Sequence, residues 1–320
     1  MKHSETIPVE VVAIEQVTPL IKQFTLRGVD RAELPPFSGG CHVIVVMHGQ
    51  QRTFRNPYSL LSSPNVLSAY QIAVRRDDQG RGGSLFMHQQ VAVGSRLEIA
   101  YPVNLFPLAK LARKHILIAG GVGITPILAM VDDLRGSPAP WELHYGVRGP
   151  EHDHFGRKLL EHDGPRVHLY YDSAGQVLNF DRILADQPLG THVYICGPGA
   201  MIGAVECAAK AAGWADSHIH SEKFTAPPGG EPFDVYLARS QLTIHVPSER
   251  SLLEAIEAAG VDAPYLCRGG ACGQCETDVL ELDGELIHND HWLSDEEKKS
   301  CRKIMPCVSR ARSSRLVLDR

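Results

Sequence analysis

Cys267-Arg268-Gly269-Gly270-Ala271-Cys272-Gly273-Gln274-Cys275 puts three thiols on one glycine-rich loop, with Cys301 and Cys307 further along the chain. The spacing, C-x4-C-x2-C and then a distant Cys, is that of plant-type [2Fe–2S] ligation. Three thiolates converge from such a loop onto two irons. Gly269, Gly270 and Gly273 let the backbone curl with N–H groups aimed at the sulfurs. A zinc site with four cysteine ligands is the alternative, but zinc ribbons usually present two C-x2-C pairs, and this loop has one. Spacing leaves the fourth ligand open. Cys301 lies in a charged, helix-like stretch at 294–303, and Cys307 in the apolar Met305-Pro306-Cys307-Val308.

The loop belongs to a chain of 320 residues, about two to three times the usual domain size. With 43% hydrophobic and 22% charged residues, the composition excludes intrinsic disorder and fibrous repeats. A net charge of −5 and a pI near 6.3 argue against nucleic acid as a partner. The first ten residues hold no apolar stretch and no cleavage site, so no secretory signal is expected. The uncharged run 115–131 is too short to span a bilayer and contains three glycines and Pro126. These features predict a cytoplasmic protein with no membrane partner, whose clustered cysteines are metal or redox ligands rather than disulfides.

Up to residue 108, short apolar or alternating runs at 9–14, 23–26, 42–47, 70–74 and 96–100 are separated by Gly, Pro and Asp turns. They predict a β-barrel or sandwich. From 109 to 224, strands at 115–119, 141–147, 167–171 and 191–196 alternate with helices at 124–134, 157–162 and 200–212. That alternation predicts an open parallel α/β sheet. Residues 225–233, with Ala226-Pro-Pro-Gly-Gly-Glu-Pro232, read as a linker. In 234–320 the strand-like runs at 233–238 and 241–246, a helix at 251–259 and a last strand at 315–318 surround the cysteine loop. The fold class is therefore multidomain, with a β-barrel (1–108), an α/β parallel-sheet domain (109–224) and an α+β cysteine-loop domain (234–320).

Two glycine turns end strands of the α/β segment. Gly120-Gly121-Val122-Gly123-Ile124-Thr125-Pro126 follows an apolar strand and opens a helix, where free N–H groups and the positive helix end attract a pyrophosphate or carboxamide. It is not G-x-G-x-x-G, so the ordinary dinucleotide fingerprint does not apply. Cys196-Gly197-Pro198-Gly199 ends a second parallel strand, where α/β sheets bind ligands. Together the turns point to a dinucleotide. Asp172, just past the 167–171 strand, is placed to take ribose hydroxyls and to disfavour a 2′-phosphate; a solvated loop acid is the other reading. In the barrel segment, Tyr58 and Ser59 of Arg55-Asn-Pro-Tyr58-Ser59-Leu60 offer a flat ring face and a hydrogen bond to a planar cofactor. Arg81-Gly82-Gly83-Ser84 offers charge and N–H donors to a terminal phosphate. A cluster and a nicotinamide need a two-electron to one-electron converter between them, and flavin is the usual one.

These modules in this order, with GGVGITP, CGP, CRGGACGQC and MPCVSRA, resemble the phthalate dioxygenase reductase and vanillate demethylase reductase family over nearly the whole chain. The resemblance implies a β-barrel flavin domain holding FMN, an α/β nicotinamide domain using NADH and a plant-type [2Fe–2S] ferredoxin domain. It also implies a Rieske-type oxygenase as electron acceptor. It assigns the flavin ring to Tyr58, Ser59 and Thr125, and the phosphate to Arg75 and Arg81–Ser84 (Arg81, Gly82, Gly83, Ser84). The nicotinamide falls to the turns with Gly121, Gly123, Cys196, Gly197 and Pro198, and the flavin–nicotinamide contact to Phe224. The cluster ligands implied are Cys267, Cys272, Cys275 and Cys307. One departure stands out: the family commonly has Arg two positions before the tyrosine, whereas this chain has Asn56 there and Arg55 one earlier. Within the family, PYSLLSSP, RGGS and HQQV are most similar to the reductases of carnitine monooxygenases.

Cofactor chemistry carries such a reaction, so no catalytic acid, base or nucleophile is expected among the side chains. Nine acids and no Lys or Arg lie between Glu276 and Glu297, beside the cysteine loop. They read either as a solvated face or as a surface steering a basic oxygenase. The rival functions are a stand-alone flavin or ferric reductase and a redox-sensing module.

Overall fold

The computed structural model describes residues 6–50, 52–224 and 229–320. The first antiparallel sheet contains β1 (Ile7–Thr18), β2 (Ile21–Gly28), β3 (Cys41–His48), β4 (Thr53–Ser59) and β5 (Tyr70–Arg75). After helix α1 (Gly83–Gln89) it is completed by β6 (Arg96–Ile99) and β7 (Val103–Asn104). Its order is β4-β3-β6-β1-β2-β5, with β7 on β3. A Leu60–Ile72 bridge brings the two ends together and closes the barrel. Alternation fills the interior: Val9 and Val11, Phe24 and Leu26, Val43, Val45 and Met47, and Ile72 and Val74 form one buried cluster. β4 was not expected as a strand. Pro57 interrupts its alternation, and β4 ends the sheet path, where a missing N–H is tolerated.

The second sheet is parallel throughout, in the order β10-β9-β8-β11-β12. Along the chain it runs β8 (Lys114–Gly120), α2 (Ile124–Arg135), β9 (Trp141–Val147), α3 (Phe155–Asp163) and β10 (Val167–Tyr171). Then follow α4 (Phe180–Leu184), β11 (Thr191–Cys196), α5 (Gly199–Ala211) and β12 (Ile219–Glu222). Helices α2 and α3 cover one face and α4 and α5 the other, which is why β8 is buried almost end to end.

The change of pattern at residue 109 separates two sheets but not two compact units, because 6–224 packs as one. Val17, Ile21, Leu61 and Ala73 of the barrel share a core with Ile127, Met130 and Val131 of α2. Gly39 makes the approach possible: its N–H donates to Asp133 Oδ2 at 2.6 Å, and a Cβ there would lie 2.6 Å from Met130 Cα.

Part of the expected linker, 225–228, lies outside the described residues. The second compact unit holds β13 (Phe233–Leu237), β14 (Leu242–Val246), α6 (Leu252–Ala258), β15 (Thr277–Ile287), α7 (Asp295–Ser300), β16 (Lys303–Ile304) and β17 (Arg310–Leu318). The sheet order is β14-β13-β17-β15-β16. Helix α6 starts on a capping box, Ser251 with Glu254, and buries Leu252, Leu253 and Ile256. The long strand β15 escaped the sequence reading because acids crowd it, which lowers its β propensity. Bases from β17 answer them across the ladder, as with Glu285 opposite Arg312.

Candidate functional site

The cysteine loop runs from the end of α6 to the start of β15. Cys267, Cys275 and Cys307 are buried, Cys272 is half-buried, and none of the eight cysteines forms a disulfide. Cys275 Sγ and Cys307 Sγ are 3.3 Å apart. The N–H groups of Gly269 and Ala271 point at Cys267 Sγ from 3.3 and 3.4 Å. The neighbouring Cys272 thiol, and then these amides, bring the Cys267 thiol down to about 5. Gly270 and Gly273 have φ of 75° and 72°. A Cβ on Gly273 would enter the Trp292 ring, and one on Gly270 would meet Val308 and Asp290. Arg268 also takes a left-handed conformation, φ 53°. Its guanidinium offsets that strain by pairing with Glu257 on α6 and stacking 3.8 Å over Tyr265.

Cys301, the other candidate fourth thiol, caps α7 and donates to the Lys298 carbonyl oxygen. Four converging thiols with amides aimed at sulfur fit an iron–sulfur cluster, which would be held by Cys267, Cys272, Cys275 and Cys307.

The acidic run beside the loop is less bare than its sequence. Glu276 and Glu297 pair with Lys303, Glu281 with Arg315 and Glu285 with Arg312. Asp290 is buried and accepts from the Leu293 N–H and the Ser309 hydroxyl.

In the 6–224 unit the two glycine turns interlock. A Cβ on Gly123 would lie 2.2 Å from the Cys196 carbonyl oxygen, and one on Gly197 would lie 3.1 Å from the Gly120 nitrogen. Gly121 takes φ 55°, and its carbonyl oxygen accepts from Tyr145 Oη at 3.1 Å. Pro198 caps α5. Thr125 is buried and donates to the Val122 carbonyl oxygen at 3.0 Å. Asp172 is exposed past the end of β10, at the same carboxyl edge of the sheet. Phe224 is 49% exposed two residues beyond β12.

In the barrel, Asn56 Nδ2 donates to Tyr58 Oη at 3.3 Å. The Asn56 side chain fills the space a Cβ on Gly83 would need, and Phe54 lies against Gly82. Burial pushes the Tyr58 phenol up. Strand alternation turns Arg55 to the opposite face of β4 from Asn56 and Tyr58, beside Glu98. Asn56 is the residue that reaches Tyr58 and the glycine turn. The Ser84 hydroxyl accepts from the Asp77 N–H at 3.1 Å and closes that turn. Arg75 is exposed at the end of β5, and Arg81 is half-buried where the turn enters α1.

Sequence reading missed Glu222. It ends β12 opposite Cys196 in the parallel register. Burial pushes its carboxyl up to about 8, against a smaller pull from the Ser59 hydroxyl. Among the described residues, Ser59 Oγ, Glu222 Oε2 and His42 Nε2 are buried without a hydrogen-bond partner, and His42 stands opposite Ser59 in the ladder. Orphaned polar atoms on two barrel strands, β3 and β4, and on β12 of the parallel sheet fit a polar, planar group such as a flavin. An acid ending a parallel strand at the carboxyl edge of the sheet was the signal that could have revealed Glu222.

An antiparallel barrel fused to a parallel sheet with paired glycine turns, on one chain with a four-thiol site, defines the class of iron–sulfur flavoprotein reductases. Residues 102–219 match the family model described as dimethylamine monooxygenase subunit DmmA-like, N-terminal domain, and 235–312 match the 2Fe-2S iron-sulfur cluster binding domain. A carnitine monooxygenase reductase subunit from Acinetobacter baumannii is 48% identical over 99% of both chains. A heme-dependent oxidative N-demethylase beta subunit from Ectopseudomonas mendocina is 44% identical over 99% of both. A phthalate dioxygenase reductase structure, titled as a modular structure for electron transfer from pyridine nucleotides to [2Fe-2S], superposes with a TM-score of 0.86 at 35% identity, covering 98% of each chain. The chain belongs to this family of oxygenase-system reductases: it is an electron-transfer oxidoreductase with flavin, nicotinamide and [2Fe–2S] domains. No helix among the described residues is long and apolar enough to cross a membrane.

Proposed function

We propose that this reductase takes electrons from NADH, holds FMN in its barrel and supplies a Rieske-type oxygenase of the carnitine monooxygenase kind, in the cytoplasm. Identity of 48% over 99% of both chains with a carnitine monooxygenase reductase subunit carries the reading. A flavin accepts hydride and releases single electrons, and a [2Fe–2S] cluster carries them one at a time. The protein's share is positioning. Asn56 and Tyr58 with the Gly82–Gly83 turn cradle the flavin, and Ser59 and Glu222 face its polar edge. The interlocked turns at Gly121–Gly123 and Cys196–Pro198 seat the nicotinamide, with Thr125 near the flavin ring. Asp172 takes the ribose hydroxyls, Phe224 covers the contact, and Arg75 and Arg81–Ser84 take the phosphate. Cys267, Cys272, Cys275 and Cys307 hold the cluster.

The 44% identity with a heme-dependent N-demethylase subunit supports a second reading, in which the acceptor is a haem protein. The deciding experiment identifies the extracted flavin and measures NADH-driven turnover with each purified terminal component. Turnover with the carnitine oxygenase and none with the haem component is expected; the reverse result would replace the first reading by the second.

A further inference from the structure

The parallel sheet carries a group of ligating side chains that neither glycine turn uses. Glu142 and His144 alternate onto one face of β9, and His168 stands beside His144 in the register of β10. Each offers one ligand atom, and the three atoms lie within 4.8 Å of one another. The group sits toward the amino ends of its strands, whereas the glycine turns occupy the carboxyl ends.

The two imidazoles stack, with centroids 4.7 Å apart and planes inclined by 15°. His144 is buried, with a side chain 8% exposed. Among the described residues its Nε2 finds no hydrogen-bond partner, and it lies 3.5 Å from Glu142 Oε1. Its Nδ1 is 2.9 Å from Tyr170 Oη. A histidine that ligates a metal through one nitrogen is typically oriented by a partner on the other. Here the hydroxyl supplies that orientation, and the remaining nitrogen is buried, unbonded and directed at a carboxylate. His168 lies at the exposed flank of the group, which leaves room for water to complete a coordination sphere.

We propose that Glu142, His144 and His168 form a binding site for a divalent transition metal ion of the zinc type, tying β9 to the edge strand β10. Two imidazole nitrogens and one carboxylate oxygen suit zinc and its neighbours, whereas calcium and magnesium favour oxygen throughout. Lys114 is the competitor for the carboxylate: its Nζ is 3.1 Å from Glu142 Oε2 and 3.0 Å from Gln187 Oε1. The ion takes Oε1 and leaves Oε2 to the ammonium.

Calorimetric titration of the cluster- and flavin-loaded protein with zinc chloride tests the site. Wild type is expected to bind one more equivalent than His168→Ala, a change at an exposed side chain. Tyr170→Phe is expected to weaken that equivalent by about tenfold, the usual effect of losing an outer partner. Lys114→Met is expected to tighten it. Anomalous scattering at the zinc edge then locates the ion among the three side chains. Equal stoichiometry and affinity in wild type and His168→Ala overturn the proposal. So does an anomalous peak on the separate stack of His192, His218 and His220 with none here.

Discussion

Two glycine-rich loops anchor the proposed sites, and they are built differently. The loop from Cys267 to Cys275 contains three of its four thiols, and the amides facing Cys267 Sγ belong to the loop itself. The turn from Gly120 to Pro126 owns little of its site. Gly123 packs on the Cys196 carbonyl of β11, and Cys196 stands opposite Glu222 of β12, whose carboxyl is influenced by Ser59 of β4. Glycine serves both loops for different reasons. In the cysteine loop it supplies left-handed φ at 270 and 273. At Gly123 it lets two backbones touch. A locally encoded site is disabled by one ligand, while a composite site is disabled by whatever separates its walls.

The largest expected effect comes from Cys272→Ser. Loss of the cluster should cut NADH-driven reduction of cytochrome c by about two orders of magnitude. Reduction of a two-electron dye should survive, because the composite site is untouched. Visible spectra and the two acceptor assays decide it; parallel loss of both activities would mean that the loops do not work separately.

Gly123→Ala attacks the other side of the comparison. Its Cβ would lie 2.2 Å from a backbone oxygen that cannot move aside cheaply. A loss on the order of 3 kcal/mol is expected in the 6–224 unit. Thermal unfolding and NADH affinity report it, with the cluster spectrum unchanged.

Acid should also act on the composite unit. His42 is held near 4 by burial. His115 and His220 are held there by burial and then by neighbouring histidines, all against an ordinary 6.5. Their folded values are depressed, so the unfolded chain takes up their protons first as pH falls. Stability complete above about 6.5 is therefore lost between there and about 4. The loss is on the order of 3 kcal/mol, mostly from His42 and His115, because His220 is partly screened. Glu222 has the opposite sign. Its value is raised to about 8, so the stability it contributes below its ordinary 4.5 disappears as pH rises through about 8. Urea unfolding across pH should show both limbs, and Glu222→Gln should flatten only the alkaline one.

The smallest effect is expected from Asp172→Asn, exposed at the sheet edge. With less repulsion of a 2′-phosphate, the preference for NADH over NADPH should relax by about tenfold. Paired kcat/KM values measure it, and an unchanged ratio would return Asp172 to the role of a solvated loop acid.

Legibility followed the same division. The order of modules, the parallel α/β alternation and the cysteine spacing were all readable, because ligands close in sequence and periodic burial leave local patterns. Strand β4 was hidden by Pro57, and β15 by acids whose partners stand on another strand. The basic partners also change what the acidic run means: Glu276, Glu281, Glu285 and Glu297 meet Lys303, Arg315 and Arg312, so the surface is less negative than its sequence. The choice between Arg55 and Asn56 was not legible, because a one-residue offset in a strand reverses the face.

By itself the sequence determined the class of chemistry. Thiol spacing and glycine turns at strand ends are local, and the physics they obey acts within a few residues. Only the tertiary structure decided that Cys307 rather than Cys301 joins the loop, that Asn56 rather than Arg55 meets Tyr58, and that Glu222 closes on Ser59 and Cys196. It also packed the barrel and parallel sheet into one unit, with Gly39 lying against α2. Each of those outcomes depends on which strands become neighbours and in what register, and burial of the whole core sets that.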